Sequence, residues 1–104
     1  MMLLSMAPAA QAVNWHQVAT TADGQQSQSV DIDSIERSPQ GVRLKSAWEN
    51  RTTRSVTTYL TEYDCKHQRY RDLVENGQPT KGEWKPLVGD PLNYATMKYA
   101  CDRY

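Results

Sequence analysis

Apolar positions in this chain alternate with polar ones more often than they recur at helical spacing, and alternation predicts strands. The clearest case is Val42–Glu49. Val42, Leu44, Ser46 and Trp48 share one side, and Arg43, Lys45 and Glu49 share the other. Val56–Cys65 is rich in Thr and Tyr, which suit a pleated surface better than a helix. There Val56, Thr58 and Leu60 lie on one face, with Tyr59, Thr61, Tyr63 and Cys65 on the other. Upstream, Val13–Thr21 carries Val13, Trp15 and Val18 and stops at the turn signal Ala22-Asp23-Gly24. Gln28–Asp33 alternates, with Val30 and Ile32 facing one way and Asp31 and Asp33 the other. Gly24–Ser29 is polar enough to be expected as a mobile loop.

Turn residues separate these runs. Ser38-Pro39-Gln40-Gly41 fits a type I turn, and Asn50–Thr53 supplies the next bend. Lys66–Val74 continues as a strand ending at the hairpin signal Asn76-Gly77, although Asp64–Asp72 also carries helix-compatible residues. Gly82–Val88 predicts a short strand around Trp84, which Pro86 places at a sheet edge. Only the tail changes period. Asp90 is a capping residue, and Pro91 occupies the first helical position. Leu92, Ala95 and Tyr99 then share one stripe, and Tyr94, Met97 and Cys101 a neighbouring one. The spacing predicts a helix of about three turns ending near Asp102. The fold class is α+β: an antiparallel sheet of about five to six strands with a C-terminal helix.

Composition adds a constraint on the core. At 104 residues the chain is one domain, yet Phe is absent and Leu, Ile and Val are scarce. Three Trp and six Tyr supply much of the missing apolar surface. No apolar run approaches the roughly 18 residues of a transmembrane span. Met1–Ala12 has no charged side chain, begins with an apolar stretch, and ends in Ala10-Gln11-Ala12, the small-x-small pattern of a signal-peptide cleavage site. Cleavage after Ala12 is expected, leaving a single domain over 13–104. The apolar stretch is short and the basic n-region is missing, so the true start is expected upstream. No cysteine stands at the cleavage point, so the expected address is the periplasm or the exterior.

Cys65 and Cys101 are the only cysteines, and an even count in an exported chain favours a disulfide. Closing the loop from Lys66 to Ala100 is worth about 4 kcal/mol on a chain-entropy account. A redox pair or half of a metal site are the rivals. There is no Cys-x-x-Cys, and no other residues complete a zinc spacing, so no metal site is expected.

Candidate chemistry is sparse. His16 and His67 are the only histidines and read as exposed or half-buried imidazoles rather than ligands. Asp31 with Asp33, and Glu62 with Asp64, are carboxylate pairs that point the same way along a strand and are expected to face water. With no nucleophile motif present, no catalytic residues are assigned and the chain is not read as an enzyme. Charge is zero overall but uneven, with an acidic stretch before Arg37 and a basic one over 37–71. Arg43, Lys45, Arg69 and Arg71, interleaved with Tyr63 and Tyr70, form the candidate binding face for an anionic polymer, a glycan or an acidic protein. The competing reading pairs those bases with the acidic N-terminal strands inside the sheet. Zero net charge argues against nucleic acid.

Several ordered pieces carry a resemblance: Asp33-Ser34-Ile35 with Arg37, Gly41-Val42-Arg43 through Trp48, Glu62-Tyr63-Asp64-Cys65 before Arg69-Tyr70-Arg71, and Tyr99-Ala100-Cys101. Together they resemble the surface-adhesin protein E family of small exported bacterial proteins. The resemblance implies an antiparallel sheet, a flanking helix, a bridge between the two cysteines, and a binding role. It also implies contact with extracellular-matrix proteins, haem as a ligand, and homodimers, although the residues themselves call for no cofactor. Those adhesins carry a lipid anchor, whose cysteine this chain lacks. The expected function is a non-catalytic exported binding domain. A soluble periplasmic accessory protein of the envelope is the alternative.

Overall fold

Residues 13–104 are described by the computed structural model, and the expected leader lies outside the described residues. The alternating runs form one antiparallel sheet: β1 (Trp15–Thr20), β2 (Gln26–Asp31), β3 (Glu36–Ser38), β4 (Gly41–Asn50), β5 (Ser55–Asp64), β6 (Arg69–Glu75), β7 (Gln78–Pro79) and β8 (Lys85–Pro86). The helix α1 (Pro91–Arg103) follows. The strands run in the order β1-β2-β4-β5-β6-β7, while β3 pairs with β4 and β8 with β6. Five strands are long, and β3, β7 and β8 are pieces of two or three residues. This is the α+β sheet and helix that alternation predicts.

The pair β4–β5 is the spine, in register from Gly41 opposite Asp64 to Asn50 opposite Ser55. Because side chains alternate, Val42, Leu44, Ser46 and Trp48 stand with Tyr63, Thr61 and Tyr59 on one face. Arg43 and Lys45 stand with Glu62 and Leu60 on the other. The helix packs on the first face alone, across β1, β2 and β4. That covered face holds the core of Val30, Val42, Leu44 and Tyr63, closed by Met97 and Ala100 of α1 and by Ile35 and Leu87. The Cys65–Cys101 disulfide ties the end of β5 to the last turn of the helix, with Cα atoms 6.0 Å apart. Gly41 makes room for this junction, since a Cβ there would run into the Tyr63 carbonyl and lie 3.2 Å from the Cys65 sulfur.

Most turns follow the sequence. Asn76 and Gly77 both adopt positive φ, as a type I′ hairpin requires. Asp90 caps α1, its side chain accepting from the Asn93 amide at 3.2 Å. Four expectations are corrected. Gly24–Ser29 is not a loop, because β2 starts at Gln26 and buries Ser27 and Gln28. Those polar residues tolerate burial because they are bonded, Gln28 Nε2 donating to the Ser46 hydroxyl at 3.1 Å. The alternation also does not run on to Asp33. Asp31 ends β2 and caps a 3-10 turn over Ile32–Ser34, so Ile35 is buried rather than Ile32. Around Trp84 the strand shrinks to Lys85–Pro86, at an edge as Pro86 requires.

The fourth correction concerns the helix. Thr96, Met97 and Ala100 are its buried residues, not the stripe of Leu92, Ala95 and Tyr99. Tyr63 rises from the sheet to fill the space beneath, and its hydroxyl bonds Asn93. Small side chains therefore suit the helix face above it. The Thr96 hydroxyl is satisfied by the Leu92 carbonyl at 2.9 Å.

Candidate functional site

The face without a helix carries most of the ordered charge. The β5–β6 hairpin sets Glu62 opposite Arg71 and Asp64 opposite Arg69, all on this side of the sheet. Glu62 and Asp64 are each only 1 % exposed. Arg71 binds Glu62 Oε1 through Nε at 2.9 Å and through a terminal nitrogen at 2.7 Å. Arg43 approaches the other oxygen of Glu62 at 3.8 Å. Arg69 Nε donates to Asp64 Oδ2 at 3.0 Å, which leaves its terminal nitrogens outside that bond. His67, in the turn between the strands, gives Asp64 its amide at 3.1 Å and its Nδ1 at 2.9 Å.

Trp84 completes this row. The Arg69 and Arg71 guanidinium carbons lie 4.7 and 4.6 Å from the centre of its ring. Both distances fall within cation–π range. Beside the row, Trp15, Leu60, Val74 and the stem of Lys45 line a shallow apolar depression. Trp15 there remains 45 % exposed.

Electrostatics explain why the carboxylates stay charged in so little water. Burial pushes the Asp64 carboxyl up, but the His67 ring and amide and the Arg69 guanidinium outweigh it and bring it to about 2. Burial likewise pushes Glu62 up. The neighbouring Ser38 hydroxyl and the Arg71 and Arg43 guanidiniums hold it below its ordinary value. Neither group carries a proton to donate near neutral pH, so the pair is unsuited to general-acid work. The expectation that Glu62 and Asp64 face water is therefore corrected: they are buried counter-ions. Their partners differ in part from the competing reading: the acids bonded to Arg69 and Arg71 come from β5, while Glu36 of the N-terminal stretch stands opposite Arg43. Asp31 and Asp33 do not form a strand pair, because Asp31 Oδ1 caps the turn that contains Asp33.

The structure brings Arg43, Lys45, Arg69 and Arg71 together on the open face, as the candidate binding face requires. Tyr63 and Tyr70 are not with them. Pairing opposite each other, they point to the covered face, where Tyr63 is fully buried. Strict alternation separates them, since a residue between two open-face positions must point the other way. Sequence reasoning missed Trp84 as the aromatic partner. The local signal was a lone Trp between Gly82 and Pro86.

Haem, which the resemblance implies, needs an oriented imidazole and an apolar wall. His67 fits the first need. Ionised Asp64 accepts from Nδ1, so Nε2 is the nitrogen left for a ligand. Leu87, Val88, Pro91 and Tyr94 share a groove with His67 and fit the second. His16 instead packs on the Tyr99 ring, 5.2 Å between centres.

A family model described as the surface adhesin-E family matches residues 16–104, from β1 through α1 to the last residue. The chain belongs to the surface adhesin-E family. No curated protein and no solved structure matches it. The matched span of this surface adhesin-E domain contains both faces of the sheet, the helix and the disulfide. Membership points to adhesin-like binding, to a surface or extracellular protein, and away from catalysis. No helix among the described residues is long and apolar enough to cross a membrane.

Proposed function

We propose that this surface adhesin-E domain is an exported, non-catalytic binding module that docks an acidic protein on its open face. One observation carries the reading: buried Glu62 and Asp64 clamp two arginines that both lie against the Trp84 ring. Guanidiniums held this way lose little freedom when a partner arrives, so less of the binding energy goes into ordering them. Glu62 and Asp64 are buried while Arg69 and Arg71 stay partly exposed, so the guanidiniums are the charge this end of the face presents to an anionic partner; Glu36 opposite Arg43, and Glu49 further along β4, balance the rest of it. The depression beside them offers apolar contact at Trp15 and Leu60. A flat, mixed patch of this kind suits a protein surface.

Immobilised polyglutamate is the probe. The intact domain is expected to be retained at low salt, and Lys45→Glu to elute earlier, without disturbing the buried pairs. Absence of retention overturns the reading, and retention on heparin alone redirects it to a glycan. Export and display are tested separately by treating intact cells with a protease that cannot enter. Digestion supports display at the surface. Protection with release by osmotic shock supports the periplasmic accessory role instead.

A haem-type ligand is a second reading, favoured by the Asp64-oriented His67 beside its apolar groove. Hemin titration is expected to give a Soret shift that His67→Ala removes. An unchanged shift in that variant overturns the assignment.

A further inference from the structure

The covered face is not fully covered. α1 packs mainly across β1, β2 and β4, and its first turn leaves a space over β5 and β6. A cleft of about 210 Å³ remains between that turn and the strands. Trp48, Tyr59 and Tyr70 wall it, and Asp72 and Asp90 supply its charge. No Lys or Arg lines it. Its volume falls below the roughly 300–1,000 Å³ of pockets for drug-sized ligands, so it suits one head group on a narrow chain.

Asp72 is unlike the buried carboxylates of the opposite face. Its Oδ1 accepts from the Thr61 hydroxyl at 2.7 Å; Lys85, outside the cleft, is near enough to favour its charge, yet no cation lies within ion-pair distance among the described residues. Asp90 has spent one oxygen on the Asn93 amide, which also covers the nearest free donor of the helix terminus. An anion entering here would meet two carboxylates and no base. A cation would meet those carboxylates and the aromatic side chains of Trp48, Tyr59 and Tyr70, the residue types that recognise organic ammonium groups.

We propose that this cleft binds a single organic cation, an alkylammonium or guanidinium group, with Asp72 as its counter-ion and Trp48, Tyr59 and Tyr70 as its walls. The field already present agrees. Burial, with Glu75 and Asp72 adding to it, pushes the Tyr59 phenol up to about 12. Tyr70 is raised by burial and by Asp72 and Asp90. An incoming positive charge relieves both effects. The proposal goes beyond the docking role of the open face and uses none of its residues, so either can fail alone.

The test follows the Trp48 indole N–H by NMR in the intact domain, with N-acetyl-lysine methylamide as probe. The resonance is expected to move on titration and to stay put with the Nζ-acetylated form of the same probe. Asp72→Asn, which retains an acceptor for Thr61, is expected to weaken binding at least about tenfold. Glu83→Gln, outside the cleft, is expected to leave it unchanged. The arginine analogue and free butylamine separate the sources of the cation. Preference for the amino-acid forms indicates a partner's side chain, and preference for butylamine indicates a free amine. Equal binding of the acetylated probe, or undiminished binding in a folded Asp72→Asn, overturns the proposal. Silence at Trp48 with every amine and guanidine overturns it as well.

Discussion

The two faces of this sheet solve the burial of carboxylates in opposite ways. On the open face Glu62 and Asp64 are almost completely buried, and each is bound by a guanidinium. On the face beneath the helix, Asp72 is half-buried and has a bonded hydroxyl, with Lys85 near it but outside ion-pair distance. The first arrangement holds both acids charged, although Glu62 Oε2 and Arg43 Nε find no hydrogen-bond partner among the described residues. The second leaves a carboxylate whose charge the fold offsets only in part, through Lys85. Structural need therefore explains the first pair well and the second poorly. That asymmetry directs attention to Asp72, although the arginine row is the more conspicuous feature in the sequence.

The largest expected effect concerns what holds the helix to its face. Replacing Cys65 and Cys101 by Ala is expected to cost about 4 kcal/mol in urea denaturation, from the loop entropy the bridge removes. Protection of α1 amides is expected to fall in the same variant, while the β4–β5 pairing keeps its slow exchange. Uniform loss across the domain would mean that the two faces unfold as one unit.

Next comes the clamp. Arg71→Met leaves buried Glu62 with the neighbouring Ser38 hydroxyl and the 3.8 Å contact to Arg43, and about 3 kcal/mol of destabilisation is expected. Asp64→Asn is smaller, about 2 kcal/mol at neutral pH. Its sign follows from a folded carboxyl held at about 2, below its ordinary value of 3.8. The wild-type advantage is complete above about pH 4 and fades as pH falls towards 2. Urea midpoints of both proteins across that range check it. A difference that persists undiminished at pH 2 would place the effect in packing rather than charge.

These pairs were partly legible in the sequence. Glu62-Tyr63-Asp64 and Arg69-Tyr70-Arg71 mirror each other across the four residues from Cys65 to Gln68. A hairpin closing on that turn must set acid against base and Tyr against Tyr, as the register shows. What could not be read was depth. Trp84 returns from a later segment to lie against Arg69 and Arg71, and alternation does not encode such a contact. The cleft was less legible still. It draws Gln28, Trp48, Tyr59, Asp72 and Asp90 from five separate segments, and it exists because α1 ends where it does. The buried stripe of the helix was misjudged for a related reason. Thr96 and Ala100 are weak apolar signals, and only the position of Tyr63 makes them the right residues.

A finer probe of the covered face is Tyr63→Phe. It removes the hydroxyl that bonds Asn93 and leaves that amide oxygen short of a donor, costing about 1 kcal/mol. The loss should register as faster exchange at the first turn of α1. Equal stability would show that the buried phenol contributes by packing alone.

The smallest stability change, and the most discriminating, is expected at Asp72. Burial raises its carboxyl above the ordinary value. The Thr61 hydroxyl and Lys85 offset part of that, and Glu75 and Asp90 reinforce it. A carboxyl raised in the folded state is a stability cost at neutral pH, relieved as pH falls through its folded value. Asp72→Asn is therefore expected to be neutral or to stabilise by about 0.5–1 kcal/mol at pH 7. The gap should close under acid, the reverse of the trend at Asp64. A loss above about 1 kcal/mol would give the charge a structural role and return Asp72 to the company of Glu62 and Asp64. A gain would show that the domain keeps a charge its fold is better without, as expected of a carboxylate held ready for a cation from outside.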